Sequence, residues 1–125
     1  MTDKLRQFAG EKYLSIETYR KSGAAVATPV WFAEDSGKLL IYSLANAGKV
    51  RRIRNNPGVR VAPCDIRGNV KGEWVDGTAR ILDAASAERA HKLLDQKYGL
   101  AKKIGGLYSK LMKRERATIE IDLQL

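Results

Sequence analysis

The sequence predicts a mainly β fold. Six strands form a mostly antiparallel sheet curled into a small closed or half-open barrel, with one helix after the third strand and two before the last. Three observations carry this. Apolar residues alternate with polar ones in several short runs, the period of half-buried strands. Hairpin-length turn clusters separate the early runs, which favours antiparallel neighbours. Six strands within 125 residues leave little room for anything but a barrel.

Residues 2–9 form a short helical lead-in. Residues 12–19 alternate, with Leu14, Ile16 and Thr18 on one face and Tyr13, Ser15 and Glu17 on the other. Arg20-Lys21-Ser22-Gly23 reads as a hairpin turn. A small-residue strand over 24–33 sets Val26, Val30 and Phe32 on one side, and Glu34-Asp35-Ser36-Gly37 is the next turn. A third strand covers 38–43. A basic helix follows it and stops at Asn55-Asn56-Pro57. Residues 59–64 make a fourth strand and 71–82 a long fifth, joined by the turn Asp65-Ile66-Arg67-Gly68-Asn69. Asp83 is a good N-cap for a helix over 84–98, and Gly99 a good residue to end it. A further amphipathic segment carries Leu100, Ile104, Leu107, Tyr108 and Leu111, with Gly105-Gly106 bending it. The last strand alternates Ile119, Ile121, Leu123 and Leu125 with polar residues.

The chain reads as one domain over residues 1–125. Its formal net charge is +9, which favours anionic partners such as phosphorylated cofactors, nucleic acid or acidic membranes. A single cysteine, Cys64, excludes an internal disulfide framework and a cysteine metal cluster. The opening residues lack the apolar core of a signal peptide, so the expected compartment is cytoplasmic. No apolar run approaches a membrane span.

Residues 43–57 are the most informative stretch. A short apolar strand runs into small and polar residues, and then Lys49, Arg51, Arg52 and Arg54 fall within six positions. A strand leading through a small-residue turn into a basic helix start is a common way to hold a phosphate. Val50 and Ile53 should face the core. Lys49 and Arg52 flank that stripe on one side, Arg51 and Arg54 on the other. Ser43 adds a hydroxyl at the strand end. The alternative is a solvated face of a surface helix. Thr28-Pro29-Val30-Trp31-Phe32 is the second feature, because a proline inside a strand marks an edge or an opening in the sheet. Trp31 could offer a ring surface there, or simply pack in the core. His91 and Cys64 read as packed residues, no metal site is expected, and the chain shows little acid–base machinery. Any chemistry should therefore belong to a cofactor.

The order Ile41-Tyr42-Ser43, Gly48-Lys49, Arg52, Asn56-Pro57, Ala62-Pro63-Cys64 resembles the split β-barrel oxidoreductases. These include pyridoxamine phosphate oxidase-like flavoproteins and their deazaflavin-dependent relatives. Residues 27–32 fit that family's second strand, and Glu73-Trp74-Val75-Asp76-Gly77-Thr78-Ala79 fits a later strand with a central glycine. The resemblance covers residues 10–123 and is nearest the small F420-dependent subgroup. It implies a six-stranded split barrel that forms a homodimer with the cofactor at the interface. Lys49 would contact the cofactor phosphate, assisted by Ser43 and Arg52. Thr28, Pro29, Val30 and Trp31 would lie along a flavin or deazaflavin ring. The implied activity is hydride transfer to a small organic substrate, with F420 as cofactor and FMN as the alternative. Two departures stand out: residues 26–32 carry no basic side chain for a flavin phosphate, and the oxidase's C-terminal substrate signature is missing. A carrier on the same fold without turnover is a second reading. A basic nucleic-acid-binding barrel ranks third: Lys102, Lys103, Lys110, Lys113, Arg114 and Arg116 support it, but they fall on helices and not among exposed sheet aromatics such as Tyr13 and Tyr19.

Overall fold

Alternation along each strand sorts the side chains into an apolar inner row and a more polar outer one. Leu14, Ile16, Leu39, Ile41, Val61, Ile119 and Ile121 are all fully buried. In the computed structural model, which describes residues 3–44, 47–104 and 116–124, these rows meet inside a barrel. The elements run α1 (Asp3–Arg6), β1 (Tyr13–Tyr19), β2 (Ala25–Asp35), β3 (Lys38–Leu44), α2 (Gly48–Asn55), β4 (Gly58–Cys64), β5 (Val75–Ile81), α3 (Ala84–Ile104) and β6 (Arg116–Leu123). The strand order is β1-β2-β3-β6-β5-β4, closed by pairing of β4 with β1, and every pair is antiparallel. The six-stranded, mainly β barrel expected from the sequence is therefore the observed fold.

The two-residue turn between β2 and β3 shows why it closes so tightly. Asp35 pairs with Lys38, and Ser36 and Gly37 between them both have positive φ, 52° and 88°. That conformation matches the twist of the strands it joins.

Helices plug the barrel ends. α1 sends in Leu5, and the turn after it sends in Phe8, whose ring meets Phe32 edge-on at 5.8 Å. Gln7 secures that end: its Nε2 donates to the Glu73 carbonyl and its Oε1 accepts from the Glu73 N–H, both at 2.8 Å. At the other end α2 inserts Val50 and Ile53, as their spacing predicted. α3 lies on the outer face of β2 and β3, where Leu93 and Leu94 cover Trp31, Ala33 and Tyr42. Its start is capped by Asp83, whose carboxylate accepts the Ser86 N–H at 2.8 Å.

Three boundaries differ from those read along the sequence. β5 begins at Val75 and not at residue 71, because Lys71 and Glu73 spend backbone groups on Pro63 and Gln7 instead of on a ladder. β6 begins at Arg116, paired with Leu44, which extends it three residues earlier than its alternation showed. α3 continues through Gly99 to Ile104; a glycine inside a helix costs only about 1 kcal/mol, less than a forced stop. The rest of the second amphipathic segment, including Leu107, Tyr108 and Leu111, and the basic residues Lys110, Lys113 and Arg114, lie outside the described residues.

Lys97 on α3 carries its ammonium to 3.5 Å from the centroid of the Phe32 ring. Burial pushes it down to about 8, against a smaller opposing pull from Glu11.

Two outcomes are expected. Phe32→Ala removes a ring that closes the α1 end of the core, and should lower unfolding free energy by about 3–5 kcal/mol in urea titrations. Lys97 should make stability rise with pH between about 8 and the ordinary lysine range, because there the unfolded chain holds a proton that the folded one has released. Denaturation midpoints of wild type and Lys97→Met, compared at pH 7 and pH 10, should show wild type gaining on the variant as pH rises.

Candidate functional site

β2 changes partner part-way along its length. Residues Ala25 to Trp31 pair with β1, and Phe32 to Asp35 pair with β3. Continuing the second register would set Trp31 opposite Tyr42 and Val30 opposite Ser43, but the ladder has already ended at Phe32–Ile41. Among the described residues, no strand pairs with the first seven residues of β2 on their β3 side. The barrel is thus split there, and Pro29, which has no N–H to give, sits within the split edge.

The seven residues singled out from the sequence all belong to this split or to the helix beside it, but not with their side chains on one face. Thr28, Val30 and Ser43 lie in the inner row, with Ser43 buried and the other two half-buried. Pro29 and Trp31 lie in the outer row. Pro29 is exposed and faces Gly68 of the β4–β5 loop, from which a Cβ would stand 3.7 Å away. The Trp31 ring packs with Ala33, Tyr42, Leu93 and Leu94 beneath α3, so its indole helps seat that helix. The backbone of residues 28–31 borders the split all the same.

α2 starts where β3 leaves the split. Ala47 is its N-cap and has no side chain able to cap. The Val50 N–H donates to the Ala47 carbonyl at 3.1 Å, which leaves the Gly48 and Lys49 N–H groups and the helix dipole available to an anion. Lys49 stands in this first turn, half-buried. Burial first, then the facing Arg52 charge, push its ammonium below the usual lysine range. Arg52, one turn on, folds back so closely over Gly48 that a Cβ there would meet its Nη1 at 2.7 Å. Its Nε donates to Thr18 Oγ1 at 2.7 Å, and Thr18 is fully buried in the inner row of β1. Burial first, then the charges of Arg20 and Arg51, lower its affinity for its proton. Arg51 and Arg54 are exposed, as their side of the helix predicted.

Among the described residues, no carboxylate lies within ion-pair distance of Lys49, Arg51, Arg52 or Arg20. The nearby acid of β1, Glu17, sits in the outer row and is held by Arg60 Nη2 at 2.8 Å and Tyr19 Oη at 3.0 Å. The site is thus a cationic cradle beside the open strand edge, with the Arg52 guanidinium held on the buried Thr18 hydroxyl.

Thr18 was missed in the sequence because its alternation marked it only as an inward residue. Its small hydroxyl among Leu14 and Ile16 was the available signal. Cys64 is buried, and burial, then Asp65 and Glu11, push its thiol up, away from thiolate chemistry. His91 is packed edge-on to Tyr42 at 5.0 Å, with Nε2 3.3 Å from Thr118 Oγ1. No group of metal-ligating side chains is present among the described residues. No described helix is long and apolar enough to cross a membrane.

A six-stranded barrel split along one strand, with a basic helix start beside the split, defines a class of fold shared with known proteins. The chain belongs to the pyridoxamine 5'-phosphate oxidase family, whose model matches residues 1–124. The curated proteins give no match. Among solved structures, it resembles an FAD-binding protein of Mesorhizobium loti at 16% identity and a TM-score of 0.71, covering 100% of this chain and 91% of that one. It resembles HutZ, the heme storage protein of Vibrio cholerae, at 15% identity and a TM-score of 0.67, covering 97% and 86%. General stress protein 26 of Bacillus anthracis matches at 16% identity and a TM-score of 0.69, covering 96% and 85%. At these identities the likeness is one of fold.

Two substitutions probe the cradle. Thr18→Val keeps the volume but removes the acceptor of the Arg52 bond, and should cost about 1–2 kcal/mol in unfolding free energy. Lys49→Met removes a half-buried charge from a cluster without acids. It should raise the melting temperature of the ligand-free protein at low salt, with the gain shrinking as salt screens the cluster.

Proposed function

We propose that the chain is a redox protein that binds a flavin-type cofactor, deazaflavin F420 with FMN as the alternative, and passes hydride to a small organic substrate. One observation carries this reading: Lys49 and Arg52, with no carboxylate in ion-pair reach among the described residues, stand at a helix start without a side-chain cap, and Arg52 bonds Thr18, whose register partner Val26 lies in the stretch of β2 that β3 leaves open. A phosphate needs the first feature and a flat heterocycle with hydrogen-bonding edges suits the second.

Lys49 would meet the phosphate, and Arg52 would share its charge while Thr18 fixes the guanidinium. Ser43 and Thr28 would present hydroxyls from the inner row. The backbone of residues 28–31 would run beside the ring, while Trp31 holds α3 against that edge. When bound, the ring supplies the hydride chemistry. The chain's part is to bind, orient and neutralise. Residues 26–32 bring no cation to the split, so the cationic contribution comes from α2 and its neighbours, and the net charge of +9 suits a cofactor with an acidic tail.

Pro29 and the exposed Ile66, at 67% of its maximal area, lie on an outer surface that a second copy would cover. The reading therefore includes a homodimer with the cofactor between protomers. FAD binding in the Mesorhizobium loti protein supports a flavin-type ligand on this fold.

Titration of purified protein with F420 and FMN, followed by cofactor fluorescence and absorbance, should show micromolar binding of at least one. Lys49→Gln should weaken it about tenfold or more, the loss of one charge-assisted contact to phosphate. Absence of binding by both cofactors at micromolar concentration would sink the reading.

A further inference from the structure

The cationic cradle extends beyond the pair that a single phosphate requires. β1's inner row continues past Thr18 to Arg20, the first residue of the β1–β2 turn. That turn is well built: the Arg20 N–H donates to the Ala24 carbonyl at 2.9 Å and its carbonyl accepts from Gly23 at 2.8 Å, with Gly23 at φ 91°. Arg20 is thus held on the α2 side of the barrel rim, two residues from the hydroxyl that anchors Arg52. Its charge reaches Arg52, as does that of Arg51. Arg20 itself is exposed. No acid among the described residues stands between these cations to offset them.

A repulsive arrangement of this kind, held by a rigid turn on one side and a buried hydroxyl on the other, has a use only if something negative enters it. Lys49 and Arg52 suffice for one phosphate. Arg20 lies farther out along the rim, where a second anionic group on the same molecule would sit.

We propose that Arg20 forms a second anionic subsite, so that the cradle selects ligands carrying a further negative group beyond the first phosphate. The inference rests on the Lys49–Arg52 reading above. The shared chemistry is a phosphate followed by another anion, whether the second phosphate of a diphosphate bridge or a carboxylate on an acidic tail.

Calorimetric titration with inorganic phosphate and inorganic pyrophosphate tests it on wild type and Arg20→Gln. Arg20 is exposed and its turn is held by backbone bonds, so the variant should fold as wild type does, with a melting temperature no lower. Wild type should bind pyrophosphate about tenfold more tightly than phosphate. Arg20→Gln should erase most of that preference while leaving phosphate affinity within about twofold. An unchanged preference in the variant would overturn the subsite and leave the Lys49–Arg52 reading standing. Failure of wild type to bind either anion would overturn both.

Whole cofactors separate the two sources. Arg20→Gln should leave FMN, with its one phosphate, unaffected. Loss confined to FAD assigns the second group to a diphosphate, and loss confined to F420 assigns it to tail carboxylates. An equal loss for FMN would overturn the subsite.

Discussion

The partner change of β2 is the constraint from which the rest of this molecule follows. One strand of eleven residues serves two neighbours in turn, β1 for its first seven residues and β3 for its last four. A barrel needs such a strand if it is to close while staying open along one seam. The seam leaves main-chain groups without a ladder, and such groups must be met by solvent, by another chain or by a ligand. It also explains the proline in a strand, because Pro29 falls where no N–H is called on by β3.

α2 couples this seam to the core. Val50 and Ile53 plug the barrel end, and the same turns of helix put Lys49 and Arg52 beside the opening. The apolar side fixes the helix, so the charged side is held in place without needing partners of its own. Thr18 tightens this further, since a buried hydroxyl on β1 takes the Arg52 Nε. The cost is a set of like charges near one another with two of them, Lys49 and Arg52, half-buried. Such strain is typical of sites shaped for something they bind rather than for stability.

The family match over residues 1–124 and the wider likeness to solved barrels agree on architecture and leave chemistry to the side chains. Here those side chains offer cations, hydroxyls and a strand edge. The thiol and the imidazole are both packed away, at Cys64 and beside Tyr42. That distribution fits a protein that lends electrostatics and orientation to a cofactor's reaction.

Much of this was legible in the residues alone. Alternation marked the inner rows of β1, β2 and β6, turn residues marked the hairpins, and i,i+3 spacing sorted the cations of α2 into a core-flanking pair and an exposed pair. These are local properties, set by the periods of strand and helix. The places where the pattern misled were also local: β5 looked longer than it is because Lys71 and Glu73 have distant partners, and Gly99 looked like a stop. What only the tertiary structure decided is which elements meet. Alternation places Thr18 inward but cannot say that a helix 34 residues later will lay Arg52 on its hydroxyl. Nor can it say that Trp31 packs beneath α3 while Thr28, on the same strand, lies in the inner row. Those facts come from closure, which fixes register between strands far apart in sequence and so determines which charges must share a site.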